Sequence, residues 1–209
     1  LNDVPKSISF PKTKKLATFG YSPTFYEQPT NGLTYNSVSK DLNLSSLEDV
    51  NSLMVLSALF GKVGTKDKDY MKLQEDISKI SGGITASNHF YVDKSGEVKG
   101  RISLSSKFLP VNTVETTKLM FDLIQNTDLE DKKRITELMF QNFMGFQQSI
   151  VENGHRFAML GAASLHNKLS YVQENMGGLS GIAGFAPYVT QQDEMITNQL
   201  TKVKDFYSK

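Results

Sequence analysis

Three histidines, His89, His155 and His166, are the side chains best suited to metal ligation or proton transfer in this 209-residue sequence, and cysteine is absent. Two imidazoles grip a metal from one helix when they stand about four residues apart; no two of these three do. Glu152 with His155 is a two-residue hint, too few ligands to hold an ion. Ser164 and His166 are two apart on what reads as a helix, so they point in different directions and make no nucleophile–base pair. Gly177-Gly178-Leu179-Ser180-Gly181-Ile182-Ala183-Gly184 offers backbone amides of the kind that cradle phosphate, yet it lacks a strand-to-helix context and a following lysine, so it reads as a loop. The sequence therefore predicts neither a catalytic residue nor a metal ligand in this chain.

One polar constellation stands out. Between Ile84 and Phe108 the pattern alternates with period two, as half-buried strands do. Ile84, Ala86, Phe90 and Val92 share one face of a first strand, and Val98, Ile102, Leu104 and Phe108 share one face of a second. Asp93-Lys94-Ser95-Gly96 supplies the turn between them. The opposite face carries Ser87, His89, Tyr91, Arg101, Ser103 and Ser105, groups able to make polar contacts with an extended peptide. An antiparallel sheet commonly keeps one face wet, so the same residues also read as a solvated surface.

The elements that must position this face follow from periodicity and caps. Residues 1–29 hold four of the six prolines, Pro5, Pro11, Pro23 and Pro29, and the basic cluster Lys12, Lys14, Lys15. They read as an extended strap with one strand near Leu16–Phe19. Residues 30–209 read as one domain. A strand covers Leu33–Leu42, and Ser45 or Ser46 caps a helix from Leu47 to Phe60. A second helix runs from Lys68 to Ile80, with Tyr70, Leu73, Ile77 and Ile80 on one stripe. After the hairpin, Asn112 or Thr113 caps a helix to Gln125. Asp128 starts a longer one to Glu152, on which Ile135, Met139, Phe143, Phe146 and Ile150 form the core stripe. Helices over Arg156–Leu169, Ser170–Met176 and Thr190–Tyr207 complete an α+β, two-layer architecture: an antiparallel sheet with helices on one face.

Composition narrows the partners. The 23 basic side chains nearly balance the 22 acidic ones, so no field exists to neutralise a phosphate backbone, and nucleic acid is excluded as a partner. No apolar run is long enough to span a bilayer. A soluble chain of the cytoplasm, or of an organelle matrix in a eukaryote, is the expectation.

Asn31-Gly32-Leu33-Thr34-Tyr35, Gly64-Thr65, Tyr70, Leu73, Ile77, Ser81-Gly82-Gly83-Ile84, the hairpin and Val98–Phe108 together resemble, in order and spacing, the second half of the presequence-protease and falcilysin branch of the pitrilysin/insulinase metallopeptidases. Asp3-Val4-Pro5 resembles the linker entering that half, and the likeness extends weakly to Phe185. Family members carry four related α/β domains closing around a chamber, with zinc in the first domain held by His-x-x-Glu-His on a helix. In this sequence those places fall on Ser52, Val55 and Leu56, which supply no useful zinc ligand and no general base. The resemblance thus implies the third domain, inactive alone, forming part of the wall of a chamber in which peptides are degraded. It implies zinc in the parent enzyme's first domain, and the other domains and peptide substrates as partners. A freestanding module that binds a peptide or protein through its sheet is the alternative, and a hydrolase using His89 or His155 a further one.

Overall fold

The computed structural model describes residues 13–15, 24–26, 28–185, 189 and 193–208. Strands β1 (Thr13–Lys15) and β2 (Thr24–Tyr26) pair antiparallel, Thr13 opposite Tyr26. The strand expected at Leu16–Phe19 lies outside the described residues. The main sheet contains β3 (Thr34–Asn43), β4 (Ile84–Val92) and β5 (Val98–Phe108) in the order β3-β5-β4, all antiparallel. A tight turn closes the β4–β5 hairpin: the Asp93 side chain accepts from the Ser95 and Glu97 amides, and Gly96 takes φ +85°.

Helix α1 (Leu47–Leu59) begins at a capping box. Ser46 Oγ accepts the Asp49 amide, while Asp49 Oδ2 accepts the Ser46 and Ser45 amides and the Ser45 hydroxyl. Val50, Leu53, Met54, Val55, Leu56 and Leu59 are all buried, because α1 is the centre of the molecule: an apolar helix needs cover on every side. That cover comes from α3 (Thr113–Asn126), α4 (Lys132–Glu152) and α8 (Asp193–Ser208), which add Met120, Ile135, Leu138, Met139, Ile196, Leu200, Val203 and Phe206 to the core. The sheet adds Leu104, with Val38, Leu42, Ala86, Phe90 and Ile102 partly buried around it. Helix α2 (Tyr70–Ile80) is capped by Asp69 and buries Leu73 and Ile77 against Leu119 and Leu123.

Three boundaries differ from expectation. Helix α4 starts at Lys132 rather than Asp128, because Asp128 holds the Glu130 amide in a local turn and Asp131 caps the helix through the Arg134 amide. The two helices expected over Arg156–Leu169 and Ser170–Met176 are present as α5 (Gly154–Ser164) and α6 (Lys168–Gly177), but the break between them comes earlier, since Asn167 accepts the Leu169 and Ser170 amides and starts α6. The glycine run is not an open loop: Leu179–Ala183 forms a short helix, α7, that buries Gly181 and Ile182.

Candidate functional site

The polar face is assembled from three strands, with β5 in the middle. Arg101 stands opposite Asp41 of β3 on one side and His89 of β4 on the other; Ser103 likewise stands between Ser39 and Ser87, and Ser105 between Ser37 and Thr85. Arg101 donates from Nε to Asp41 Oδ1 at 2.5 Å and from a terminal nitrogen to Oδ2 at 3.1 Å, a two-pronged pair. Its guanidinium also lies 5.4 Å from the centre of the Tyr91 ring, within cation–π range. The hydrogen bond from Arg101 is the main reason that the Asp41 carboxyl is held below its ordinary value of 3.8, with the nearby positive charge and a Tyr91 hydrogen bond acting the same way. Arg101 is in turn pushed up, first by the Asp41 hydrogen bond. Ser87 Oγ and His89 Nε2 are 3.4 Å apart, and Ser105 donates to Ser37 at 3.0 Å.

Thus five of the six expected residues, Ser87, His89, Tyr91, Arg101 and Ser105, offer exposed or half-exposed groups on one surface, while Ser103 is 7% exposed between its neighbours. Asp41, Ser37 and Ser39 belong to this face and were not singled out from sequence. The alternation of Tyr35, Ser37, Ser39 and Asp41 against Val38 and Leu42 was the available signal, but only the β3–β5 register shows which strand they adjoin. Asn88 breaks the apolar pattern of the other face. It points toward α1 and donates to Ser57 Oγ at 2.7 Å.

Ser52, Val55 and Leu56 are 4%, 3% and 4% exposed within α1; one hydroxyl and two hydrocarbons are not a donor set for zinc. Glu152 accepts from Gln148, Ser164 donates to the Gly161 carbonyl, and His155 and His166 are exposed. Among the described residues no three or more of His, Cys, Asp and Glu are grouped as a metal site would need. At the glycine run the Glu174 carboxylate accepts the Ser180 amide at 3.2 Å. A side-chain acceptor therefore already takes an amide of this run. A Cβ on Gly178 would lie 1.8 Å from that carboxylate, so the glycine permits close packing of α6 on α7.

Three antiparallel strands thus present a polar face, with helices packed on the apolar side. The chain belongs to the family described as associated with the peptidases of family M16, subfamily C, whose model matches residues 1–185. It is 26% identical to Protein HypA of Clostridium perfringens over 98% of its length, and 24% identical to the mitochondrial presequence protease of Danio rerio, also over 98%. With the Aspergillus oryzae mitochondrial presequence protease the identity is 30% over 77% of the chain. It spans only about a fifth of these relatives, 21%, 20% and 16% of their lengths. A conserved protein from Enterococcus faecalis V583 shares the fold, with a TM-score of 0.53 and 17% identity over 82% of this chain and 46% of that one. No helix among the described residues is long and apolar enough to cross a membrane.

Proposed function

We propose that this peptidase-associated chain is a non-catalytic, pitrilysin/insulinase-like unit of a zinc-dependent peptidase, with residues 1–29 as a strap and 30–209 as the α+β domain. Its sheet forms part of the wall of an enclosed chamber, and its polar outer face contacts extended peptides without sequence preference. The observation that carries this reading is the polar sheet face on which Asp41, Arg101, Tyr91, His89 and Ser87 converge. Hydroxyls, an imidazole and a guanidinium suit a peptide backbone, whose donors and acceptors are the same in every sequence. The hydrolytic zinc belongs to another part of the polypeptide, and this chain takes no chemical step: Ser52, Val55 and Leu56 have only a packing role. The cytoplasm, or an organelle matrix in a eukaryotic host, is the compartment this reading assigns.

Arg101→Ala and His89→Ala in the full polypeptide are expected to raise peptide KM by about three- to tenfold each, the loss of about 1 kcal/mol of contact. The turnover number and the unfolding midpoint should stay unchanged. Unaltered KM across several unrelated peptides would overturn the role of the sheet face.

A further inference from the structure

From Leu138 onward, the outer sides of α4 and α5 expose large apolar side chains and almost no charge. From Leu138 to Asn167 only Glu152 and Arg156 are charged, in a chain whose charged content is 22%. A solvent-facing helix pair of a soluble domain carries its lysines and glutamates there. Instead, α4 presents Phe140, Met144 and Val151, placed at i, i+4 and i+11 so that they share one side, exposed to 45%, 49% and 86%. Helix α5 buries only Phe157 and turns Met159 outward on the opposite side, 71% exposed, with Leu165 at its end 79% exposed. Charge depletion with methionine and aromatic enrichment is the composition of an interface centre.

We infer that the α4–α5 corner is a permanent docking surface for another folded segment of the same, longer polypeptide, which meets it with an apolar, charge-poor face of its own. The occupant is argued from length. The relatives that match this chain end to end are about five times longer, and a tethered segment reaches the corner at an effective concentration no free partner matches. A charge-poor corner also gives a charged peptide nothing to pair with. The inference rests on the chain being one unit of a larger peptidase and not on peptide binding by the sheet.

Methionine oxidation tests it without a substitution, because sulfoxide formation requires access to the sulfur. Met71, 68% exposed on α2, is an internal reference for Met159 and Met144. The full polypeptide and the 209-residue chain are treated with dilute peroxide, and sulfoxide at each methionine is followed by mass spectrometry. In the full polypeptide Met159 and Met144 are expected to oxidise at least about tenfold more slowly than in the isolated chain. In the isolated chain Met159 should match Met71. An equal Met159 rate in the two samples would overturn the inference. So would protection of Met159 in the isolated chain that grows with its concentration, which would make a second copy the occupant. The kinetic effect of Arg101→Ala is unaffected by either result, so the two proposals fail separately.

Discussion

At the scale of single residues, Asp41 sets the position of Arg101, and Arg101 is the largest polar group on the sheet face. The carboxylate is ionised at neutral pH, and its depressed pKa means that the folded chain binds a proton there less readily than the unfolded one. Its contribution to stability is therefore present in full above its ordinary value of 3.8, and it is lost as pH falls through the depressed value. Carboxyl NMR is expected to place the Asp41 midpoint below that of a solvated aspartate, and Arg101→Ala should move it back up. A midpoint indifferent to Arg101→Ala would mean that the pair does not persist in solution. Because both side chains are about half exposed, the pair orders the guanidinium more than it stabilises the fold.

At the scale of elements, α1 matters most, since the sheet, α3, α4 and α8 all pack around it. Its first turn depends on Asp49, which is 7% exposed and holds both preceding amides and the Ser45 hydroxyl. Asp49→Ala is expected to cost about 2 kcal/mol, at the upper end for a lost helix cap, read as a lower denaturation midpoint with an unchanged slope. Asp49→Asn, which keeps an acceptor oxygen, should cost less; equal losses would mean that the negative charge rather than the hydrogen bonds matters. The cap was legible in the serines before Leu47, and the hairpin was legible in its period-two alternation. The division between α5 and α6 was legible too, but its position was not: the break falls at 165–167 rather than after Leu169, because Asn167 takes the Leu169 and Ser170 amides.

At the scale of the whole molecule, the chain combines an apolar core helix, a polar sheet face and an exposed apolar corner, which is what the proposed role as one unit of a larger peptidase requires. Metal analysis of the purified 209-residue chain is expected to find no stoichiometric zinc, whereas the full polypeptide should carry it. One equivalent of zinc in the shorter chain would overturn the non-catalytic reading, since the Ser52, Val55 and Leu56 positions supply no donors for it.

The sequence by itself determined the hairpin, the two faces of β4 and β5, the apolar character of α1 and the identities of Ser52, Val55 and Leu56 on it. All are local: a period, a turn or the identity of side chains a few positions apart. Only the tertiary structure decided that β5 is central, that Asp41 meets Arg101 from sixty residues away, and that Glu174 closes the glycine run. It also decided that α4 and α5 show an apolar side to solvent. Strand order and helix cover depend on which distant segments meet, and hydrophobic periodicity reports that a residue needs burial without saying what buries it.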